Sequence, residues 1–170
     1  SALEVAAAAR MAGTPVTLDV SQNQGDPRFD RLIEVADYFA PSRIAAERMT
    51  GTTSVDKMSR KLMSRGCGAV IITMGEKGVY ATDRNGDELS LPAFPVDVVD
   101  TNGAGDAFHG ALALGVARGW DLQRVLVFSS AVAAMKCASV ASGHLGLPTA
   151  AQVESFLREH GYGYAYDQDG

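Results

Sequence analysis

The stretch that most constrains this chain is Asp100 to Ala111, which reads DTNGAGDAFHGA. It follows a strand-like run, Ala93 to Val99, and opens an apolar, Ala-rich segment with the composition of a helix. A strand, a glycine-rich bend and a helix start together leave a concavity of free backbone N–H groups. With the positive end of the helix dipole, those amides make a site for an anion such as phosphate. Gly103 and Gly105 allow a close backbone approach and positive φ at little cost. Asp106 then falls in the first helical turn, where a carboxylate is electrostatically comfortable. Beside a phosphate it would repel the anion, so its best use is to accept a proton from a hydroxyl attacking that phosphate. The plainer alternative is a glycine-rich α/β turn in which Asp106 serves only as a cap. Neither common phosphate motif fits: no Lys-Ser/Thr follows the glycines, and those at 103, 105 and 110 miss the dinucleotide spacing.

The rest of the chain predicts an α/β fold with a mostly parallel sheet. Leu3–Ala12, Asp30–Val35, Ser42–Met49 and Ser54–Ser64 read as helices, with Gly13, Gly51 and Gly66 as stops. Pro15–Val20 and Asp37–Ala40 read as strands, and the continuous apolar run Ala69–Met74 as a strand buried on both faces. Val79–Thr82 and Glu88–Leu91 flank an Asn85-Gly86 pair, a hairpin signal. Helices are then expected from Ala104 to Arg118, from Leu122 to Ala141 with Asp121 as cap, and from Ala151 to Glu159 with Thr149 as cap. Ser21–Pro27 and Gly143–Pro148 read as loops and the last ten residues as a frayed tail. No linker or repeat interrupts the chain, which is read as a single domain over residues 1–170.

Position by position, DTNGAGDAFHGA resembles the C-terminal signature of the ribokinase-like (PfkB) carbohydrate kinases, D-T-x-G-A-G-D-x-F-x-G. The resemblance implies the three-layer ribokinase-like fold and ATP- and Mg²⁺-dependent phosphorylation of a primary hydroxyl of a small sugar. Asp106 would be the catalytic base, and the amides of Gly103, Ala104, Gly105 and Asp106 the anion hole. TMGEKG, Thr73 to Gly78, resembles the family's T-x-G-x-x-G turn, so Thr73, Gly75 and Gly78 would contact ATP phosphates, joined by Asn102 and by Gly143 in the Ala138–Gly146 segment beside the adenine. Asp100 and Asn102 resemble positions that hold a monovalent cation such as K⁺, the second half of that site coming from Cys137–Gly146. One departure stands out: Ser42 and Ala45 occupy the places of a usual Asn-x-x-Glu, and Glu47 falls two residues late on another helix face. That Ser/Ala version and His109 are similar to ketohexokinase-like or sulfofructose-kinase-like members. A nucleoside kinase and a non-catalytic nucleotide-binding regulator are the alternatives. Family members run well beyond this length, their first half carrying most sugar contacts and a β-sheet lid through which homodimers form. The chain is therefore read as the C-terminal, ATP-binding half, unable alone to show saturable sugar dependence.

Composition excludes other classes. With 46% hydrophobic and 21% charged residues, 170 residues can build a real core. A net charge of −5 and no basic stripe argue against nucleic acid. No apolar run reaches membrane-spanning length and no signal-peptide pattern opens the chain, so a cytoplasmic protein is expected. Cys67 and Cys137 are isolated and read as reduced, buried thiols. The three histidines, His109, His144 and His160, are too scattered for a transition-metal cluster.

Overall fold

The computed structural model describes residues 1–20, 27–141 and 146–163, and the chain divides into two compact units, Ser1–Pro92 and Ala93–Gly170.

The first unit carries a five-stranded sheet in sequence order: β1 (Thr17–Leu18), β2 (Tyr38–Phe39), β3 (Ala69–Thr73), β4 (Val79–Asp83) and β5 (Glu88–Leu91). β1, β2 and β3 run parallel, whereas β3–β4 and β4–β5 are antiparallel, so the sheet is mixed. The two parallel neighbours are shorter than their sequence patterns suggest, with two paired residues each. α1 (Ala2–Met11) precedes β1, α2 (Pro27–Val35) joins β1 to β2, and α3 (Arg43–Thr50) and α4 (Val55–Met63) join β2 to β3. α2 starts one turn before the expected Asp30. Pro27 supplies that first helical position, where a missing N–H costs nothing. α3 is bounded as its sequence dictates: the Ser42 side chain accepts from the Ala45 amide at 3.2 Å, and Gly51 closes the helix in the left-handed conformation.

Alternation along β3 explains the core. Val70 and Ile72 pack with Ile33, Phe39, Ala45, Met58 and Leu62, all buried. Ala69 and Ile71, on the opposite face of the pleat, are buried as well, as a continuous apolar run requires. Each fully buried Ile or Leu contributes roughly 1.5–3 kcal/mol of transfer free energy. One polar pair lies inside: Ser59 of α4 donates to the hydroxyl of Thr82 of β4 at 2.7 Å, which satisfies both groups. In the hairpin, Asp83 Oδ1 accepts from the amides of Asn85 and Asp87, and Gly86 takes a positive φ.

The described part of the second unit is helical: α5 (Ala104–Ala117), α6 (Leu122–Ala138) and α7 (Ala150–Glu159). The strand expected over Ala93–Val99 does not form. Pro92 and Pro95 have no N–H to donate to a ladder, Val98 and Val99 are exposed, and the Val99 amide goes instead to the carbonyl of Cys137. α5 and α6 pack at close range because Gly115 has no side chain: a Cβ there would stand 2.9 Å from Trp120 and 3.0 Å from Val125. Trp120 is buried, edge-on to Phe128, with the Arg124 guanidinium over its ring. α6 ends at Ala138, three residues before the expected Ala141. α7 opens with a capping box, Thr149 and Gln152 each satisfying the other's amide. Among the described residues no helix is long and apolar enough to cross a membrane.

Candidate active site

The segment before α5 is fastened to the C-terminal end of α6. The Cys137 carbonyl accepts the amides of Val99 at 2.8 Å and Asp100 at 3.1 Å. Asp100 Oδ1 in turn accepts the Asn102 amide at 2.9 Å, an Asx turn that bends the chain. Gly103 completes the bend with φ +76°, a conformation in which any other residue is strained. Helical bonding then begins, the Ala107 amide reaching the Gly103 carbonyl at 2.9 Å. No side chain caps this fourteen-residue helix. The amides of Gly105 and Asp106 belong to its first turn and have no helical acceptor, which leaves them to a ligand.

Asp106 stands in that first turn, exposed, with no hydrogen bond or ion pair to another described residue. A cleft of about 590 Å³ opens beside it, entirely within the second unit. Asp100, Asn102, Gly103, Asp106 and Lys136 form its polar end. Ala111, Leu114, Phe128, Val132, Leu147, Pro148 and Val153 make the remainder apolar. A cleft with amides and charge at one end and aliphatic walls at the other suits a ligand with an anionic tail and a flat apolar head.

Lys136 is the member of this site that sequence reading missed. It is 3% exposed and is the only charged side chain among the buried described residues. Its ammonium donates to the Asp100 carbonyl at 3.3 Å and lies 3.6 Å from Asp100 Oδ2. Its stem runs beneath the turn, so that a Cβ on Gly103 would meet Lys136 Cε at 3.7 Å. A signal was present: a lone lysine inside the otherwise apolar run Ala131–Ala138 must find a partner or leave the core. Next to it, burial pushes the Cys137 thiol above its ordinary pKa, the Lys136 ammonium opposing that shift.

The other predicted residues lie as follows. Thr73–Gly78 belongs to the first unit, where it turns β3 into β4 through a single 3-10 turn, Gly75–Lys77. Gly75 and Gly78 both take positive φ there, at +59° and +86°. The Met74 amide closes this turn on the Gly78 carbonyl at 2.8 Å. Ser42 bridges to Thr73 in parallel register and caps α3, and Ala45 is buried in the core. His109 Nδ1 lies 2.9 Å from the Gly105 carbonyl, one turn back along α5. Cys67 is buried and Cys137 half-buried, neither in a disulfide. Gly143 and His144 lie outside the described residues, as do residues 21–26 of the expected polar loop. No cluster of three His, Cys, Asp or Glu that could hold a metal occurs among the described residues.

An uncapped helix start, a glycine turn and an exposed first-turn carboxylate on an α/β chain form an arrangement able to receive an anion such as phosphate. The family model for the pfkB family of carbohydrate kinases matches residues 1–150, and the chain belongs to that family. A deoxyribokinase of Salmonella typhi is 40% identical over 82 residues, covering 45% of this chain and 26% of the relative. The structure of Arabidopsis thaliana ribokinase complexed with ribose and ATP superposes with a TM-score of 0.82 at 29% identity, over 92% of this chain and 51% of that one. Aminoimidazole riboside kinase from Salmonella enterica, complexed with aminoimidazole riboside and an ATP analog, gives 0.81 at 30% identity, over 92% and 56%. The fold is thus the ribokinase-like α/β fold. The chain spans about half of the length of the two solved structures it matches.

Proposed function

We propose that this chain forms the nucleotide-binding and catalytic part of an ATP-dependent carbohydrate kinase that phosphorylates a primary hydroxyl of a small sugar. The observation that carries this reading is Asp106, an exposed carboxylate in the first turn of an uncapped helix, lining a cleft beside free amides. Family membership and the nucleotides named in the two structural relatives support the choice of ATP.

In this reading the apolar end of the cleft takes the adenine, and the polar end takes the phosphates. The amides of Gly103, Gly105 and Asp106 face the transferred phosphoryl group, where charge grows in the transition state, whereas the Ala104 amide, also expected there, goes to the Thr101 carbonyl at 3.2 Å. Preorganised donors aimed at such charge cost no reorganisation when the reaction occurs. Asp106 accepts the proton of the sugar hydroxyl as its oxygen attacks phosphorus, keeping that oxygen nucleophilic. The proton then rests on the Asp106 carboxyl and leaves to solvent through the exposed face of the turn. Lys136 places a positive charge under the same turn, against the negative charge the phosphates bring. Thr73 is proposed to offer its hydroxyl to nucleotide phosphate, with Gly75 and Gly78 letting the backbone approach, since the Thr73 and Gly78 amides already go to the carbonyls of Pro41 and Gly75; Asn102 is a further proposed nucleotide contact. Mg²⁺ carried with the triphosphate would supply positive charge against the phosphate oxygens. Of Asp100 and Asn102, expected together to hold K⁺, Asp100 turns its carbonyl and carboxylate toward the Lys136 ammonium. ATP as donor suits a cytoplasmic reaction.

A nucleoside kinase would share these residues, so the acceptor must be found by assay. The complete protein, given ATP·Mg²⁺ and a panel of pentoses, ketohexoses, their deoxy and keto-acid derivatives and ribosides, is expected to release ADP with one sugar class. Release with ribosides alone would move the assignment to a nucleoside kinase. No acceptor-dependent release across the panel, from protein that binds ATP, would leave a nucleotide-binding module.

A further inference from the structure

Lys136 has a second consequence for the site. Its ammonium stands at 3.3 Å from the carbonyl oxygen and 3.6 Å from Oδ2 of Asp100, inside a turn where 3% of the residue reaches solvent. These are two oxygens of the residue from which a monovalent metal ion would have to be held. A potassium ion on them would touch the ammonium, and like charges at contact in a poorly solvated corner repel strongly. The residues present therefore do not fit a free monovalent cation.

We propose that Lys136 is a built-in cation that replaces a monovalent metal ion at Asp100, shaping the phosphate turn and making its function independent of added potassium. The proposal rests on the kinase reading of the cleft. The ammonium has three N–H donors. One goes to the Asp100 carbonyl, which draws residue 100 onto α6 while Asp100 Oδ1 bends the chain at Asn102. The ammonium also faces Asp100 Oδ2 at 3.6 Å, so its printed contacts are all with the turn. Tethering settles the occupancy: an ion from solution is present in proportion to its concentration, whereas a side chain on a packed helix is always at the site. Lys136 acts through Asp100 and the turn, which makes it a positioning residue.

The test compares salts in the complete protein. At equal concentrations of KCl and tetramethylammonium chloride, wild-type ATP affinity and acceptor-dependent turnover should agree within about twofold, and the melting temperature within about a degree, because no bound potassium adds to stability. Lys136→Met, an apolar side chain of similar length, should lose at least about tenfold in turnover and ATP affinity in tetramethylammonium, the scale of a lost charge-assisted contact. Potassium should restore part of that loss by filling the vacated place at Asp100. A wild type that potassium activates or stabilises would overturn the proposal, and this arm holds even should the variant fail to fold. A folded Lys136→Met with undiminished affinity and turnover would overturn it too, as would a loss that potassium does not relieve. Failure of the kinase reading looks different: wild-type protein that binds no ATP in either salt, the melting comparison still deciding the cation.

Discussion

The ammonium of Lys136 lies 3.3 Å from the carbonyl oxygen of Asp100, and the carbonyl of Cys137, the next residue along, accepts the Asp100 amide. One residue of the glycine turn is thus held from both its N–H and its C=O by consecutive positions in the last turn of α6. A cation in the last turn of a helix is favoured by the helix dipole, so the lysine suits its own element as well as the turn. The first-turn amides of α5 and Asp106 follow directly on that clamped residue.

Gly103 holds the bend at φ +76°. An alanine there pays about 1–2 kcal/mol to remain left-handed, or lets the turn relax and moves the amides. Gly103→Ala should therefore weaken ATP binding several-fold while the protein stays folded, as measured by calorimetric titration and far-UV circular dichroism. Unchanged affinity would mean that ATP does not use these amides.

Gly115 sets the spacing of α5 and α6. Replacing glycine by alanine inside a helix ordinarily stabilises by up to about 1 kcal/mol, whereas overpacking a well-filled contact costs roughly 1–3 kcal/mol. With Trp120 at 2.9 Å and Val125 at 3.0 Å from the new methyl, overpacking wins. Gly115→Ala should lower the urea midpoint without changing the slope of the transition. A midpoint that rises would show that the helices move apart freely.

Burial pushes the Cys67 thiol from 9.0 up to about 11. The sign of its effect on stability follows directly. Between those two values the unfolded chain has lost the thiol proton while the folded chain still holds it, so stability falls as pH rises through that window. Below the lower value both states carry the proton and the group contributes no pH dependence. Stability measured from pH 9 to 11 should fall more steeply in the wild type than in Cys67→Ala, and Cys67 should resist alkylation at neutral pH until the protein unfolds. Equal slopes would place the thiol in contact with solvent.

Much of this site was legible because its determinants are local. Glycine at 103 and 105, a carboxylate one residue on and an apolar helix after it specify a turn whatever surrounds them. Caps at Asp121 and Thr149 were legible for the same reason, each side chain bonding an amide three residues ahead. What the sequence did not disclose depends on distant partners. Ala93–Val99 has a strand's composition, yet a strand exists only where a neighbour pairs with it, and its Val99 amide pairs with α6. Lys136 and Asp100 are 36 positions apart, so no window of the chain shows them together. The shortness of β1 and β2 has the same origin, since pairing length is set by the strands alongside.

The central claim is that Asp106 is the base of a phosphoryl transfer. Asn at this position keeps the shape of the side chain and removes its ability to take a proton. In the complete protein, with the acceptor identified by the panel above, Asp106→Asn should lower turnover by at least about a hundredfold, the scale of a lost general base. ATP affinity and melting temperature should change little, because the side chain makes no described hydrogen bond in the folded protein. The decisive measurement is single-turnover phosphoryl transfer from ATP to that acceptor, wild type against Asp106→Asn. A rate loss of that size at unchanged ATP affinity is the predicted result, and near-normal transfer by the variant would contradict it.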